Sequence, residues 1–241
     1  MSETSSSRRR FVGASVAGLG IAVAPGIHLI AAQGPAEPAG ASNAKRWGLL
    51  VDASKCASGC DACVKACATE NGINETVANA RQGSQWIRKV DLHDRRTGRQ
   101  VSLPMMCQHC ANPPCVDVCP TGASMKRADG IVLVDRHVCI GCRYCMMACP
   151  YKARSFVHQP LTEQNPEVPR GLGCVESCTF CVQRVDRGQT PACVEACPEG
   201  AMVFGDLKDP NSAISRRLAQ VATTQVRADL GLDTGVRYQG L

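Results

Sequence analysis

The chain has 241 residues, 27 Lys and Arg against 21 Asp and Glu, and only 4% aromatic residues beside seventeen cysteines. So few rings argue for a core of aliphatic or inorganic groups, and the cysteine content favours the inorganic one. The formal charge of +6 does not point to nucleic acid, because beyond the first ten residues there is neither a basic run nor basic residues interleaved with aromatics.

The chain opens with Ser7-Arg8-Arg9-Arg10-Phe11, which resembles the twin-arginine export pattern. An uncharged Gly/Ala-rich stretch follows over residues 11–32. A basic start ahead of a modest apolar segment is signal-peptide anatomy. Pro25, His28 and the many small residues make it a poorer membrane span. Residues 1–32 are therefore expected to be a twin-arginine signal, and 33–45 (QGPAEPAGASNAK) a flexible linker. Such a leader implies a protein that crosses to the periplasm already folded around its metal. That setting reverses the usual link between export and disulfides.

Sixteen cysteines then fall into four groups. Group one is Cys56, Cys60, Cys63 and Cys67; group two is Cys107, Cys110, Cys115 and Cys119. Group three is Cys139, Cys142, Cys145 and Cys149; group four is Cys178, Cys181, Cys193 and Cys197. Each ends Cys-x3-Cys, and Pro follows in the last three. Group three, CIGCRYCMMACP, is the bacterial ferredoxin run that binds a [4Fe–4S] cluster. Two or three intervening residues let a tight loop wrap one cube. The fourth Cys is expected to open the following helix, with the Pro just inside its start, and to ligate the other cube of a pair. Structural zinc also uses Cys-x2-Cys, but neither zinc nor disulfides accounts for this grammar repeated four times. Removing the leader leaves 24 basic and 20 acidic residues. Sixteen thiolates and four oxidised cores then bring the mature protein to a net charge of about −4.

Between groups one and two, residues 86–92 and 99–103 flank DRRTGR and predict a hairpin. Groups two and three bracket GIVLVD (130–135), a predicted strand, and so form one two-cluster ferredoxin unit. Groups one and four must then pair across it. The repeat predicts an α+β fold of two nested ferredoxin-like units. The inserted unit covers 101–164, and the outer unit 46–100 plus 165–207. Residues 208–241 form a C-terminal extension, with a helix expected from Asp209-Pro210-Asn211 through Val221 and an extended polar tail. Cys174, the seventeenth cysteine, reads as a small buried hydrophobe, with exchange for Cys178 as a ligand the alternative. His109, inside group two, hydrogen-bonds a sulfur or packs. His93, His137 and His158 read as surface or packing residues, and Tyr144 as packing. No nucleophile constellation or phosphate loop is visible, so no catalytic residue is assigned and the chain is expected not to be an enzyme on its own.

The four-group pattern over residues 46–206 resembles the iron–sulfur subunits of the dimethyl sulfoxide, polysulfide and tetrathionate reductases and their relatives. The resemblance implies that group one pairs with group four, and group two with group three. One cube would take Cys56, Cys60, Cys63 and Cys197, and its neighbour Cys67, Cys178, Cys181 and Cys193. A third would take Cys107, Cys110, Cys115 and Cys149, and the fourth Cys119, Cys139, Cys142 and Cys145. Group one departs from the pattern, with three residues between Cys56 and Cys60. That feature and the leader resemble the DsrO-type periplasmic subunits of Dsr membrane complexes of sulfur metabolism. The resemblance implies electron transfer through four [4Fe–4S] clusters to or from a quinone-interacting multi-helix membrane protein of the NrfD/PsrC/DsrP type. Other Dsr subunits, including a cytochrome c, would be neighbours, with the chain peripheral on the inner membrane. The alternatives are the electron-transfer subunit of a molybdopterin reductase and a soluble polyferredoxin shuttle.

Overall fold

The computed structural model describes residues 22–24, 27–28, 41–73, 82–162 and 164–241. It divides into two units, residues 1–38 and 39–241. In the first, strands β1 (Ala22–Ala24) and β2 (Ile27–His28) pair antiparallel. Most of the expected export signal and linker lies outside the described residues. Among the described residues, no helix is long and apolar enough to cross a membrane.

The second unit is built on a three-stranded sheet centred on β3 (Trp47–Asp52). Its apolar run Leu49, Leu50 and Val51 is fully buried, as a strand covered on both faces requires. On one side β3 pairs antiparallel with β10 (Met202–Asp206), Val203 opposite Leu50. On the other it pairs parallel with the C-terminal strand β11 (Val236–Gln239), Arg237 opposite Leu50. The segments just before group one and just after group four are thus neighbouring strands.

The hairpin expected around DRRTGR is β4 (Ile87–His93) with β5 (Gln100–Met106), in register from Ile87–Met106 to His93–Gln100. Between groups two and three, β6 (Ser124–Lys126) pairs with β7 (Val132–Val134). A further short pair, β8 (Ser155–Phe156) and β9 (Val175–Glu176), joins the stretch after group three to that before group four.

The helices are short, except α1 (Ala62–Glu70) in group one and the C-terminal α6 (Ala213–Gln220). The others are α2 (Pro114–Asp117), α3 (Tyr144–Ala148), α4 (Val182–Val185) and α5 (Ala192–Glu195). Helix α1 packs on α5, and α2 on α3. Helix α6 starts where Ser212 Oγ accepts the Ser215 N–H at 3.2 Å, a side-chain cap. Its buried Ile214 lies over Gly205, where a Cβ would stand 3.0 Å from the Ile214 Cγ2.

The fourth cysteine of a group does not open a helix. Cys119, Cys149 and Cys197 come at or just after the ends of α2, α3 and α5, and Cys67 lies within α1. The proline that follows each of the first three is accordingly a stop signal, since Pro cannot continue a helix. The helix starts carry their own devices. Pro114 is the first residue of α2, where a missing N–H costs nothing. Arg143 and Cys181 precede α3 and α4 in the left-handed conformation.

The core mixes these elements with sulfur. Leu49, Val51, Trp86, Ile87, Leu103, Met106, Ile131, Val132, Phe180, Val236 and Tyr238 form one buried cluster with Cys63, Cys67, Cys107, Cys110, Cys115, Cys145, Cys149, Cys178 and Cys193.

Candidate iron–sulfur centres

None of the seventeen cysteines forms a disulfide. The structure draws several of them together from distant segments. Cys56, Cys60 and Cys63, on the turn before α1 and in its first residues, line one cavity with Cys197. Its empty space, open mouth included, is about 360 Å³. Lys89 on β4 reaches it and donates from Nζ to Cys56 Sγ at 2.8 Å. The Ala201 N–H donates to Cys197 Sγ at 3.3 Å. Burial first, with the neighbouring Cys56 and Cys197 adding, pushes the Cys63 thiol up to about 11 although Lys89 pulls the other way.

A second cavity, about 320 Å³ of empty space, is lined by Cys107, Cys110, Cys115 and Cys149. Three come from the loop and helix after β5, the fourth from the end of α3. Burial pushes the Cys107 and Cys110 thiols up to about 12. The Arg154 Nη2 donates to Cys115 Sγ at 3.1 Å.

The third set, Cys67, Cys178, Cys181 and Cys193, joins α1 to both helices of group four. All four are buried. Cys67 is raised first by burial and then by Cys181 and Cys193; Cys178 by burial and then by Cys67 and Cys193. Asn71 donates to Cys67 Sγ at 3.6 Å and Cys181 Sγ at 4.0 Å.

In the fourth set, Cys145 is raised by burial and, beyond it, by Cys115 and Cys119. Cys119 itself lies low: burial raises it, but hydrogen bonds from Ser124 and Thr121 outweigh that. The Ser124 N–H reaches its sulfur at 3.3 Å. Cys139 is half-buried and Cys142 exposed, on the loop that leads into α3. This loop is tight: Gly141 has φ 71°, and a Cβ there would stand 2.3 Å from the Gly173 carbonyl oxygen.

These sites suit clusters better than single ions. Among the described residues no three His, Cys, Asp or Glu side chains converge as one ion requires. A zinc site holds its sulfurs at about 2.3 Å from one centre; here four cysteines line each of two cavities without converging on a single point. Burial raises these thiols, and metal binding is therefore linked to release of their protons. N–H and cationic donors aimed at sulfur are the groups that tune a cluster. When bound, a cluster supplies one-electron chemistry; the chain supplies thiolates, hydrogen bonds and insulation from water.

The remaining candidates separate clearly. Cys174 is buried and its Sγ donates to the Arg136 carbonyl at 3.3 Å, as a packed thiol does. His109 is fully buried: its Nδ1 accepts the Val132 N–H at 3.0 Å, and its Nε2 is buried with no partner among the described residues. Tyr144, expected to pack, is 58% exposed, because it heads α3 on the open side of the loop. Sequence reasoning missed Arg154, Lys89 and Asn71, which lie outside the cysteine motifs or beside them without any spacing signal.

The model for a 4Fe-4S dicluster domain matches residues 99–207, which contain groups two, three and four. The Hdr-like menaquinol oxidoreductase iron-sulfur subunit 1 of Archaeoglobus fulgidus is 44% identical over 82% of this chain and 84% of its own length. A tetrathionate reductase subunit of Salmonella typhimurium is 40% identical over 81% of this chain and 73% of its own. The protein NrfC of Escherichia coli is 41% identical, covering 78% of each. With four cysteines lining each of two cavities and this extent of identity, the chain belongs to the family of 4Fe-4S dicluster iron–sulfur subunits that includes these proteins.

Proposed function

We propose that this chain is the electron-transfer iron–sulfur subunit of a membrane-associated oxidoreductase complex, carrying four [4Fe–4S] clusters in two nested ferredoxin-like units. The observation that carries the reading is the origin of the cysteines around each cavity. Cys197 of group four stands with Cys56, Cys60 and Cys63 of group one, and Cys149 of group three with Cys107, Cys110 and Cys115 of group two. The packing of α1 on α5 and of α2 on α3 supports the same crossing. Cys67, Cys178, Cys181 and Cys193 would hold the second cube, and Cys119, Cys139, Cys142 and Cys145 the fourth.

Within this class the chain is DsrO-like: a periplasmic subunit of sulfur metabolism, exported by the twin-arginine route and held on the inner membrane by its partner. That partner would be a quinone-interacting multi-helix membrane protein. The leader and the Cys56–Cys60 spacing support this narrower reading, and the similarity to a menaquinol oxidoreductase subunit supports a quinone-linked partner. The similarity to a tetrathionate reductase subunit favours one rival, service to a molybdopterin reductase. Anaerobic purification of the tagged chain from its native membranes in mild detergent, with mass spectrometry, separates them. A multi-helix quinone-type protein with Dsr subunits is the expected result; a molybdopterin chain in their place overturns the narrower reading, and a monomer without partners overturns the broader one.

A further inference from the structure

Arg127, Arg154 and Arg170 all have mostly buried side chains within the cysteine-rich body, and two of these have carboxylate partners. Arg170 binds Glu176 through two contacts at 2.7 and 2.9 Å. Arg127 meets Asp129 and Asp186, both at 2.7 Å. Arg154 is 6% exposed and has no carboxylate partner among the described residues. Its Nη2 donates to Cys115 Sγ, and its Nε and Nη1 are buried without a partner. It lines the cavity of Cys107, Cys110, Cys115 and Cys149, and its charge acts on Cys115, Cys107 and Cys145. It therefore lies between the third cysteine group's Cys145 and the cavity of the second.

A buried cation requires an opposite charge. Four thiolates around a cluster supply one. Such an assembly is anionic when oxidised and carries one more negative charge when reduced. A fixed cation with little water around it stabilises the reduced form more, because charges interact strongly where the dielectric is low. Lys89 makes a comparable contact with Cys56, but at a half-buried sulfur, where solvent screens it. The contacts from Asn71 to Cys67 and Cys181 and between Thr121 and Cys119 carry no charge.

We infer that Arg154 is a potential-setting residue: it raises the reduction potential of the cluster held by Cys107, Cys110, Cys115 and Cys149, and to a lesser degree that of its Cys145-bearing neighbour. This inference deepens the proposed function and rests on its cluster map.

The test is an anaerobic redox titration of the full-length holoprotein, followed by electron paramagnetic resonance, for the parent chain, Arg154→Gln and Arg154→Lys. Iron content is measured first and judges the cluster map independently of the potentials. With iron retained, the expected result is a fall in the midpoint of one cluster in Arg154→Gln, a smaller fall in a second, and two unmoved. Arg154→Lys, which keeps the charge, should restore most of the loss. Unchanged midpoints, or four that move together, overturn the inference. Iron lost from Arg154→Gln but kept in Arg154→Lys with parental midpoints supports it, since the charge is then what the cluster requires. Iron lost from both variants overturns it in favour of a packing role.

Discussion

The imidazole of His109 lies against the ring of Phe180, centroids 3.7 Å apart and planes 27° from parallel. The two residues hold matching places in their loops, each directly before a cysteine, Cys110 and Cys181, and both are left-handed, with φ 44° and 53°. Both are buried. Burial first, then Arg46 and Arg154, pushes the His109 imidazole down to about 3, so the stack is neutral. Phe180 continues edge-on to Phe204 at 5.4 Å, which stacks on Trp47 at 5.2 Å. In a chain this poor in rings, four neighbouring aromatics at one place join the cysteine loop of group two to that of group four.

The first prediction follows from this stack. Phe180→Ala should destabilise the folded chain by about 3–5 kcal/mol, the usual result of emptying a buried aromatic site. Electron transfer between the two cluster pairs should also slow. Thermal release of iron reads the first effect, and pulse radiolysis the second. Phe180→Leu, which fills much of the space, should recover stability without recovering the stack.

Gly141 supplies a second prediction. Its positive φ and the approach of the Gly173 carbonyl leave no room for a side chain. Gly141→Ala should displace the loop of Cys139 and Cys142 and lower iron content by one cluster. Gly188→Ala, also at positive φ but with nothing within 4 Å of the added Cβ, should cost about 1 kcal/mol and leave iron intact. Iron and acid-labile sulfide assays on both variants decide it.

The buried ion pair gives a third. Arg170 and Glu176 have side chains 3% and 10% exposed, against 53% and 52% for Arg187 and Glu167. Glu176→Gln leaves a buried guanidinium partly uncompensated and should cost about 3–5 kcal/mol. Glu167→Gln should cost about 1 kcal/mol or less. Thermal midpoints of the two holoproteins, measured side by side, should differ in that order.

A fourth concerns the surface of group three. Ile140, Tyr144 and Met147 are 68%, 58% and 72% exposed around the exposed Cys142. Under the proposed function this apolar face meets the quinone-type membrane subunit. Ile140→Asp should reduce co-purification of that subunit while iron content stays at the parental level. Undiminished co-purification would remove the face from the interface.

Much of this is legible in the sequence because it is local. The hairpin read around DRRTGR folds as Ile87–His93 and Gln100–Met106, and the strand read in GIVLVD is Val132–Val134. The helix read after Asp209-Pro210-Asn211 is Ala213–Gln220. Spacing also announces the cysteine loops. What it cannot announce is non-local. The C-terminal tail, read as polar and extended, supplies the parallel strand Val236–Gln239 to the central sheet. Its Tyr238 is fully buried, with its hydroxyl donating to the Pro104 carbonyl at 3.1 Å. Parallel pairing between the two ends of a chain leaves no short-range pattern. The same holds for Arg154, whose sulfur partner lies in a different cysteine group, and for His109, whose stacking partner does too. The side of a short helix on which Cys119, Cys149 and Cys197 fall is not legible either, because Pro both starts and stops helices and only the structure shows which.

The most direct test of the crossed cluster map is Cys197→Ser. The variant and the parent would be purified anaerobically, assayed for iron and examined by electron paramagnetic resonance. The parent should hold about sixteen irons per chain. The variant should lose or alter one cluster, and that cluster should be the one also lost from Cys60→Ser. If Cys197→Ser instead shares its missing signal with Cys178→Ser, groups one and four do not exchange ligands and the nested arrangement is wrong.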